Sequence, residues 1–265
     1  MPDCRTNCGP MSEALAATTE DAFLGGQLRL RQPKSGHRAG HDAMLLAAAT
    51  LAHPGDRVVE FGAGVGAAGL ALARRTGAIT LTLIEIDANL AELARDNAAR
   101  NAIAANVVVL DLTADADGFA AAGLSADSAD IVLMNPPFND AVRHRASPDS
   151  ARAAAHMADA ATLGSWIHAS RRVLKSGGRL TLIWRADGLA EVLTALARGF
   201  GSVAIQPVHV DAAKPAIRVL VRAVKGGKAA TQILAGLMLN DAPGVPNKAV
   251  AEILMGKGGL ALAIP

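Results

Sequence analysis

Two stretches of the sequence combine residue types and spacing that could do chemistry. The first is Val58-Val59-Glu60-Phe61-Gly62-Ala63-Gly64-Val65-Gly66, an apolar run that feeds a glycine-rich turn. Glycine permits positive φ and lets a ligand approach bare main chain. A helix that begins at such a turn offers unpaired N–H groups and a partial positive charge. Gly64-x-Gly66-x-x-Gly69 matches the dinucleotide fingerprint. Glu85 follows at the end of the next apolar run, where an acid can hold ribose hydroxyls. A further acid, Asp111, ends the third run and could accept a hydrogen bond from an adenine amine. The second stretch is Ile131-Val132-Leu133-Met134-Asn135-Pro136-Pro137-Phe138. Prolines lack N–H donors and have fixed φ. The carbonyls of Asn135 and Pro136 are then free acceptors, beside the Asn135 side-chain oxygen, and Phe138 adds a flat face. Two acceptors and a stacking surface suit a planar group with an exocyclic NH2. The plainer alternative is a double-proline strand terminator followed by a core phenylalanine.

Such turns act together only if a scaffold brings them to one edge. The chain alternates predicted strands (57–61, 79–84, 107–110, 131–134, 179–184) with helices (66–75, 87–100, a short one near 115–122, 151–174 with a break near Gly164, and 188–198). Strands alternating with helices indicate βαβ units and a mostly parallel sheet. The alternation then stops. Val203–Val210 and Ile217–Val224 read as strands separated by only six residues, too few for a parallel crossover. They are expected to pair as a hairpin, so that the sheet ends in one antiparallel strand. Upstream, Leu28-Arg29-Leu30-Arg31 alternates like a strand, and a helix is expected over roughly 41–52. The expected organisation is a flexible lead-in at 1–20, a strand and helix extension at 21–56, a core domain at 57–225, and a tail at 226–265 with short helices near 229–239 and 247–255.

Composition narrows the function classes. The 265 residues are 51% hydrophobic and 19% charged, which excludes a mainly disordered chain. The run Ala43–Ala52, broken only by Thr50, falls well short of the about 20 apolar residues that span a bilayer. No secretory signal is legible in residues 1–20, so a cytoplasmic location is expected. Aromatics are 3% with no tyrosine, too few for aromatic nucleic-acid platforms. The two cysteines, Cys4 and Cys8, make a poor zinc site, and no metal is expected. The net charge is only +2, but three segments are locally basic. Residues 22–41 hold Arg29, Arg31, Lys34 and Arg38. Residues 141–152 hold Arg143, Arg145 and Arg152. Residues 212–228 hold Lys214, Arg218, Arg222, Lys225 and Lys228. Such islands are compatible with phosphate contacts, or with an ordinary solvated surface.

The glycine turn alone admits both NAD(P) and S-adenosylmethionine. Glu60 would repel a pyrophosphate but suits a cationic amino-acid ligand, and the terminal hairpin is foreign to the ordinary dinucleotide-binding sheet. With Glu60–Gly66, Ile84–Asp87, Leu110-Asp111 and Asn135–Phe138 quoted together, the chain resembles the Rossmann-like methyltransferases that use S-adenosylmethionine. Within them it resembles the Asn-Pro-Pro-Tyr/Phe amino-methyltransferases, above all the bacterial enzymes that methylate an adenine amine in valine tRNA. The segment Ala39–Leu46 is similar to that family's Gly-Thr-Asp-x-x-Leu-Leu, with His41 in place of threonine. The resemblance implies an α/β fold with a seven-stranded, mostly parallel sheet, a terminal antiparallel hairpin and helices on both faces. It implies that Glu60, Gly62 and Gly64 line the methionine end of the cofactor, that Glu85 holds the ribose and Asp111 the adenine, and that Asp42 approaches from the upstream helix. Asn135 and Pro136 would bind the target amine and Phe138 would stack on its ring, with Asn135 also bordering the cofactor. The implied activity is methyl transfer to an exocyclic amine, with RNA, above all tRNA, as partner. Alternatives are a small-molecule O- or N-methyltransferase, a methyltransferase of a protein glutamine or an rRNA guanine, an NAD(P) oxidoreductase, and a cofactor-binding RNA scaffold without catalysis.

Overall fold

The computed structural model describes residues 18–35, 38–137, 149–242 and 244–263. Its centre is a sheet in which β3 (Arg57–Phe61) pairs in parallel with β4 (Thr80–Glu85) on one side and β6 (Ala129–Met134) on the other. β5 (Ala105–Val109) extends it beyond β4, and β7 (Leu174–Arg185) beyond β6. The central strands β3 and β6 are buried on both faces, which is why they read as nearly unbroken apolar runs. Alternate residues still divide between two cores. Val58 and Ile131 face one, and Val59, Phe61, Val132 and Met134 the other. The first core is covered by α1 (His41–Ala49), α2 (Ala67–Thr76) and α3 (Ala88–Arg100). The second is covered by α4 (Ala116–Ala121), α5 (Asp149–Val173) and α6 (Leu189–Leu196). The structure is thus the expected α/β arrangement, with helices on both faces of a largely parallel sheet.

β8 (Phe200–His209) and β9 (Ala216–Lys225) form the expected antiparallel hairpin. The antiparallel strand is not at the edge, however. β9 is inserted between β7 and β8 and runs antiparallel to both. β8 therefore lies parallel to the other strands, and its outer edge is open. The tail closes that edge. β10 (Gln232–Ile233) and β11 (Leu237–Met238) lie along β8, where a helix is expected near 229–239. Leu234, Leu237 and Leu239 pack on the first core from this position. An uncovered edge exposes unpaired N–H and C=O groups, and two short strands satisfy them more directly than a helix can. The tail then forms a small hairpin, β12 (Asn240–Ala242) with β13 (Val245–Pro246), and the expected final helix, α7 (Lys248–Leu254). α5 runs continuously through Gly164, with no break there.

Residues 18–20, expected in the lead-in, belong to a strand. β1 (Thr18–Phe23) pairs antiparallel with β2 (Leu28–Pro33). Two asparagines dock this hairpin on α3. Asn101 accepts from Arg29 N–H (2.9 Å) and donates to Arg29 C=O (2.7 Å). Asn97 accepts from Arg31 N–H (2.7 Å) and donates to Arg31 C=O (3.0 Å). Residues i and i+4 on a helix are spaced like residues i and i+2 on a strand, so the two carboxamides act as a surrogate partner strand. Asn97 is fully buried and also donates to Val65 C=O (3.0 Å), inside the glycine turn. Asn97→Ala would leave these buried main-chain groups without partners, at about 1–3 kcal/mol each. The substitution is expected to destabilise the fold by about 3 kcal/mol in urea unfolding. A loss below about 0.5 kcal/mol would show that the hairpin docks by other means.

Candidate active site

Register brings the sequence-selected residues to one sheet edge. Phe61 lies level with Met134 on one neighbour and Ile84 on the other, and Glu85 lies level with Val109. Gly62, Glu85 and Asn135 therefore emerge side by side, with adjacent strands about 4.8 Å apart. Asp111 follows two residues beyond Val109.

The turn itself is left-handed at Gly62 (φ 63°) and Gly64 (φ 55°). A Cβ at Gly62 would be driven into the indole of Trp166, which α5 lays over the turn. A Cβ at Gly64 would meet nothing within 4 Å. One glycine is thus required by the protein's own packing, and the other opens bare main chain to the site. Glu85 fixes the turn by its carboxylate, which accepts from Gly64 N–H (2.7 Å), Ile86 N–H (2.9 Å) and Asp87 N–H (3.0 Å).

Glu60 faces α2 because it shares the Val58 side of β3. Its carboxyl accepts from Gly69 N–H at 2.7 Å. Burial pushes its pKa up from 4.5 to about 8, against the lowering effect of the Gly69 and Ala68 N–H groups. The structure thus places Glu60 beneath the turn, bonded to helix main chain. Gly69 is glycine for the matching reason: a Cβ there would come within 2.6 Å of the Glu60 carboxyl.

Asp111 is exposed. Its Oδ1 accepts from both the N–H and the hydroxyl of Thr113, each at 2.8 Å, and those bonds hold its pKa below the ordinary carboxylate value. Beside it, Ile86 at the tip of β4 is 63% exposed, an apolar surface next to the Glu85 carboxylate.

Asn135 Oδ1 is buried and has no hydrogen-bond partner among the described residues. It opens on a pocket of about 220 Å³ lined by Arg38, Ala39, Gly40, His41 and Asp42. Asp42 does not face this pocket as a free acid, since Arg218 on β9 donates to its carboxylate at 3.1 Å. The opposite wall is tied to the β1–β2 hairpin. Gln32 accepts from Ala39 N–H (2.7 Å) and donates to Asp21 (2.8 Å), and Arg38 pairs with the same Asp21. Pro136 is buried and Pro137 exposed. Phe138 lies outside the described residues, as do Arg143 and Arg145.

The other two basic islands look different in space. Arg29 meets Glu20 (3.2 Å), Arg31 meets Asp96 (3.4 Å), Lys214 meets Asp211 (3.2 Å) and Lys225 meets Asp127 (3.0 Å). Acids distant in sequence or just outside each window compensate these cations. Trp166 and Asn97 escape the sequence reading, and Arg218 enters it only as one cation of a basic segment. Each acts through a contact between elements far apart in the chain.

A glycine turn with bare main chain at Gly64, an acid at the next strand tip, a second acid at the third, and a buried amide oxygen without a partner among the described residues stand together at one edge of the α/β sheet. Residues 39–209 match the methyltransferase small domain, and the chain belongs to that family. The family of the chain makes it an S-adenosylmethionine-dependent methyltransferase. Over 206 residues it is 28% identical to the tRNA1(Val) (adenine(37)-N6)-methyltransferase of Aeromonas hydrophila, covering 77% of this chain and 84% of that one. It is also similar to the ribosomal RNA small subunit methyltransferase C of Citrobacter koseri, at 27% identity, covering 54% of this chain and 35% of that one. Among solved structures, a "predicted O-methyltransferase" of Agrobacterium tumefaciens superposes with a TM-score of 0.69 at 30% identity, covering 83% of this chain and 98% of that one. No helix among the described residues is long and apolar enough to cross a membrane.

The buried Glu60 has a consequence for stability. Its folded pKa is raised, so between pH 4.5 and about 8 the native state holds a proton that the unfolded chain has released. Stability from this group is therefore full below pH 4.5 and declines as pH rises toward 8. Glu60→Gln removes the titration, and its melting temperature is expected to fall less than the parent's from about pH 5 to about pH 8. Parallel curves for the two proteins would contradict a protonated Glu60.

Proposed function

We propose that this methyltransferase acts on the exocyclic amine of an adenine in RNA, with tRNA as the substrate class. The observation that carries this reading is the buried Oδ1 of Asn135, without a partner among the described residues, next to the glycine turn. Leaving such an acceptor unpaired costs about 1–3 kcal/mol, and an NH2 donor entering the pocket recovers it. A hydroxyl acceptor has only one hydrogen to give. An amine has two, which Asn135 Oδ1 and the Pro136 carbonyl can accept together.

S-adenosylmethionine, when bound, supplies a methyl group on a sulfonium that departs as a neutral thioether. Glu85 would hold its ribose. A carboxylate has about four acceptor sites, and three main-chain N–H groups use three of them, so one remains for a hydroxyl. Asp111 would accept from the cofactor's adenine amine through Oδ2, and Ile86 would lie against the ring. Asp42, with its charge balanced by Arg218, would border the methionine end, while Glu60 would act there through the turn it supports. Gly62 and Gly64 would present main chain to the same end.

The nitrogen of an aromatic amine is a weak nucleophile because its lone pair is delocalised into the ring. Acceptors at Asn135 and Pro136 turn that lone pair out of the ring and toward the methyl carbon. As the C–N bond forms, the C–S bonding pair stays with sulfur and positive charge develops on nitrogen. The same acceptors stabilise that charge, and one N–H proton then leaves to water. Phe138 would stack on the base. The relatives that modify tRNA adenine support this target class.

Transfer of labelled methyl to separated tRNA, rRNA, protein and small-molecule fractions, followed by nucleoside analysis, tests the proposal. N6-methyladenine in tRNA is the expected product. Asn135→Ala should lower kcat by about 10²–10³ while S-adenosylhomocysteine binds as before. Label confined to a small-molecule hydroxyl or to protein would overturn the reading.

A further inference from the structure

The second face of the sheet holds a larger groove, about 820 Å³, between α5, α6 and the segment after Asp111. Small residues line part of it, Ala161 and Gly164 on α5 and Ala190 and Ala195 on α6. Its walls carry Arg171, Arg172 and Arg198. These cations differ from those of the basic islands. Arg171 donates to the Arg198 carbonyl (2.8 Å), and Arg172 donates to the Ala114 carbonyl (3.0 Å) while lying 5.2 Å from the Phe119 ring centre. Arg198 is exposed, and none of the three has a carboxylate partner among the described residues. The one acid among the described residues that line the groove, Glu191, is already taken at 2.7 and 2.9 Å by Arg185. Where most arginines of the fold meet an acid, three uncompensated ones converge on one groove. Part of their charge complements the C-terminus of α5, but Arg198 stands apart from that helix.

We infer that this groove binds the phosphate backbone of the RNA substrate, away from the target base. The inference takes its ligand from the function proposed above. Open guanidinium groups recognise phosphate by paired hydrogen bonds, and the groove is long enough to include side chains from two helices. The polar groups Ser165, His168 and Thr194 share its walls. The contact is indifferent to base identity, so it adds affinity without adding sequence preference.

The test is direct binding of an unmodified tRNA transcript mixture as a function of salt, in the parent and in Arg171→Gln/Arg198→Gln. Arg171→Gln removes the charge and, being shorter, also gives up the bond to the main-chain carbonyl of position 198. The double variant is expected to bind about three- to tenfold more weakly. Its slope of log K against log[salt] should be shallower by roughly 1–2, the loss of two phosphate contacts. Lys257→Ala, an exposed cation outside the groove, is expected to leave both quantities unchanged. Should the double variant melt earlier than the parent, Arg198→Glu alone, at an exposed side chain, reports the same direction. Equal affinity and slope in parent and variant, an equal loss in Lys257→Ala, or failure of the parent to bind tRNA would each overturn the groove. Binding is read without methyl transfer, so the two proposals fail separately. tRNA bound through these arginines but never methylated removes the adenine reading alone. tRNA methylated normally by a variant with parental affinity removes the groove alone.

Discussion

Three side-chain hydrogen bonds hold the Gly62–Gly66 turn and the helix it starts, and the candidate active site depends on them. Glu85 takes the Gly64 N–H from the β4 side, Glu60 takes the Gly69 N–H from below, and Asn97 donates to the Val65 carbonyl from α3. A run of left-handed glycines has much conformational entropy to lose. Holding it from three elements makes the loss at folding and not at ligand binding, which is the meaning of preorganisation. The same bonds explain two acids in so small a region. Neither is simply a ligand-facing charge. Glu60 is largely protonated at neutral pH, which spares the fold an unpaired buried carboxylate. Glu85 remains at the edge of the sheet, its carboxylate bonded to three main-chain N–H groups.

Asn97 extends this network beyond the core domain. Through the Asn97–Asn101 ladder the β1–β2 hairpin is joined to the helix that also braces the turn. Through Gln32, Asp21 and Arg38 the hairpin is joined to the wall of the Asn135 pocket. The upstream segment is therefore no passive extension. It builds one side of the Asn135 pocket and is locked to the glycine turn by a single helix. Arg218 does the corresponding work from the far end of the sheet, reaching from β9 to Asp42. The inserted antiparallel strand is what brings that arginine to the α1 start, so the unusual strand order serves the site as well as the sheet.

What was legible in the sequence follows the range of the interactions. The glycine turn, the Asn-Pro-Pro stretch and the alternation of strands and helices are local patterns, and their physics is local: φ preference, missing donors, periodic burial. The pairing of β8 with β9 was legible because six connecting residues permit nothing else. The place of β9 inside the sheet was not, because it depends on which edge buries more apolar surface. The tail misled for a similar reason. Leu234, Leu237 and Leu239 carry a spacing that suits either a helix or short strands with a bend, and the open edge of β8 decided between them. Trp166 carries no signal of its own, since an aromatic residue on a helix is ordinary until a glycine is found beneath it.

Charge shows the same limit most plainly. Counting lysines and arginines in windows marks residues 22–41 and 212–228 as basic, yet Glu20, Asp21, Asp96, Asp42, Asp127 and Asp211 meet most of them in the fold. Exposed ion pairs of this kind add little stability, about 0–1 kcal/mol each. Their larger effect is on the field outside the protein, which they cancel at short range. A polyanion approaching the molecule responds to the uncompensated charge and not to the count. Arg171, Arg172 and Arg198 are separated in sequence and assembled by the packing of α5 against α6, so no window contains all three. A protein with net charge of only +2 can in this way present a localised cationic groove while the rest of its surface stays nearly neutral. Such a distribution would orient a polyanion bound there, which a uniformly basic surface would not.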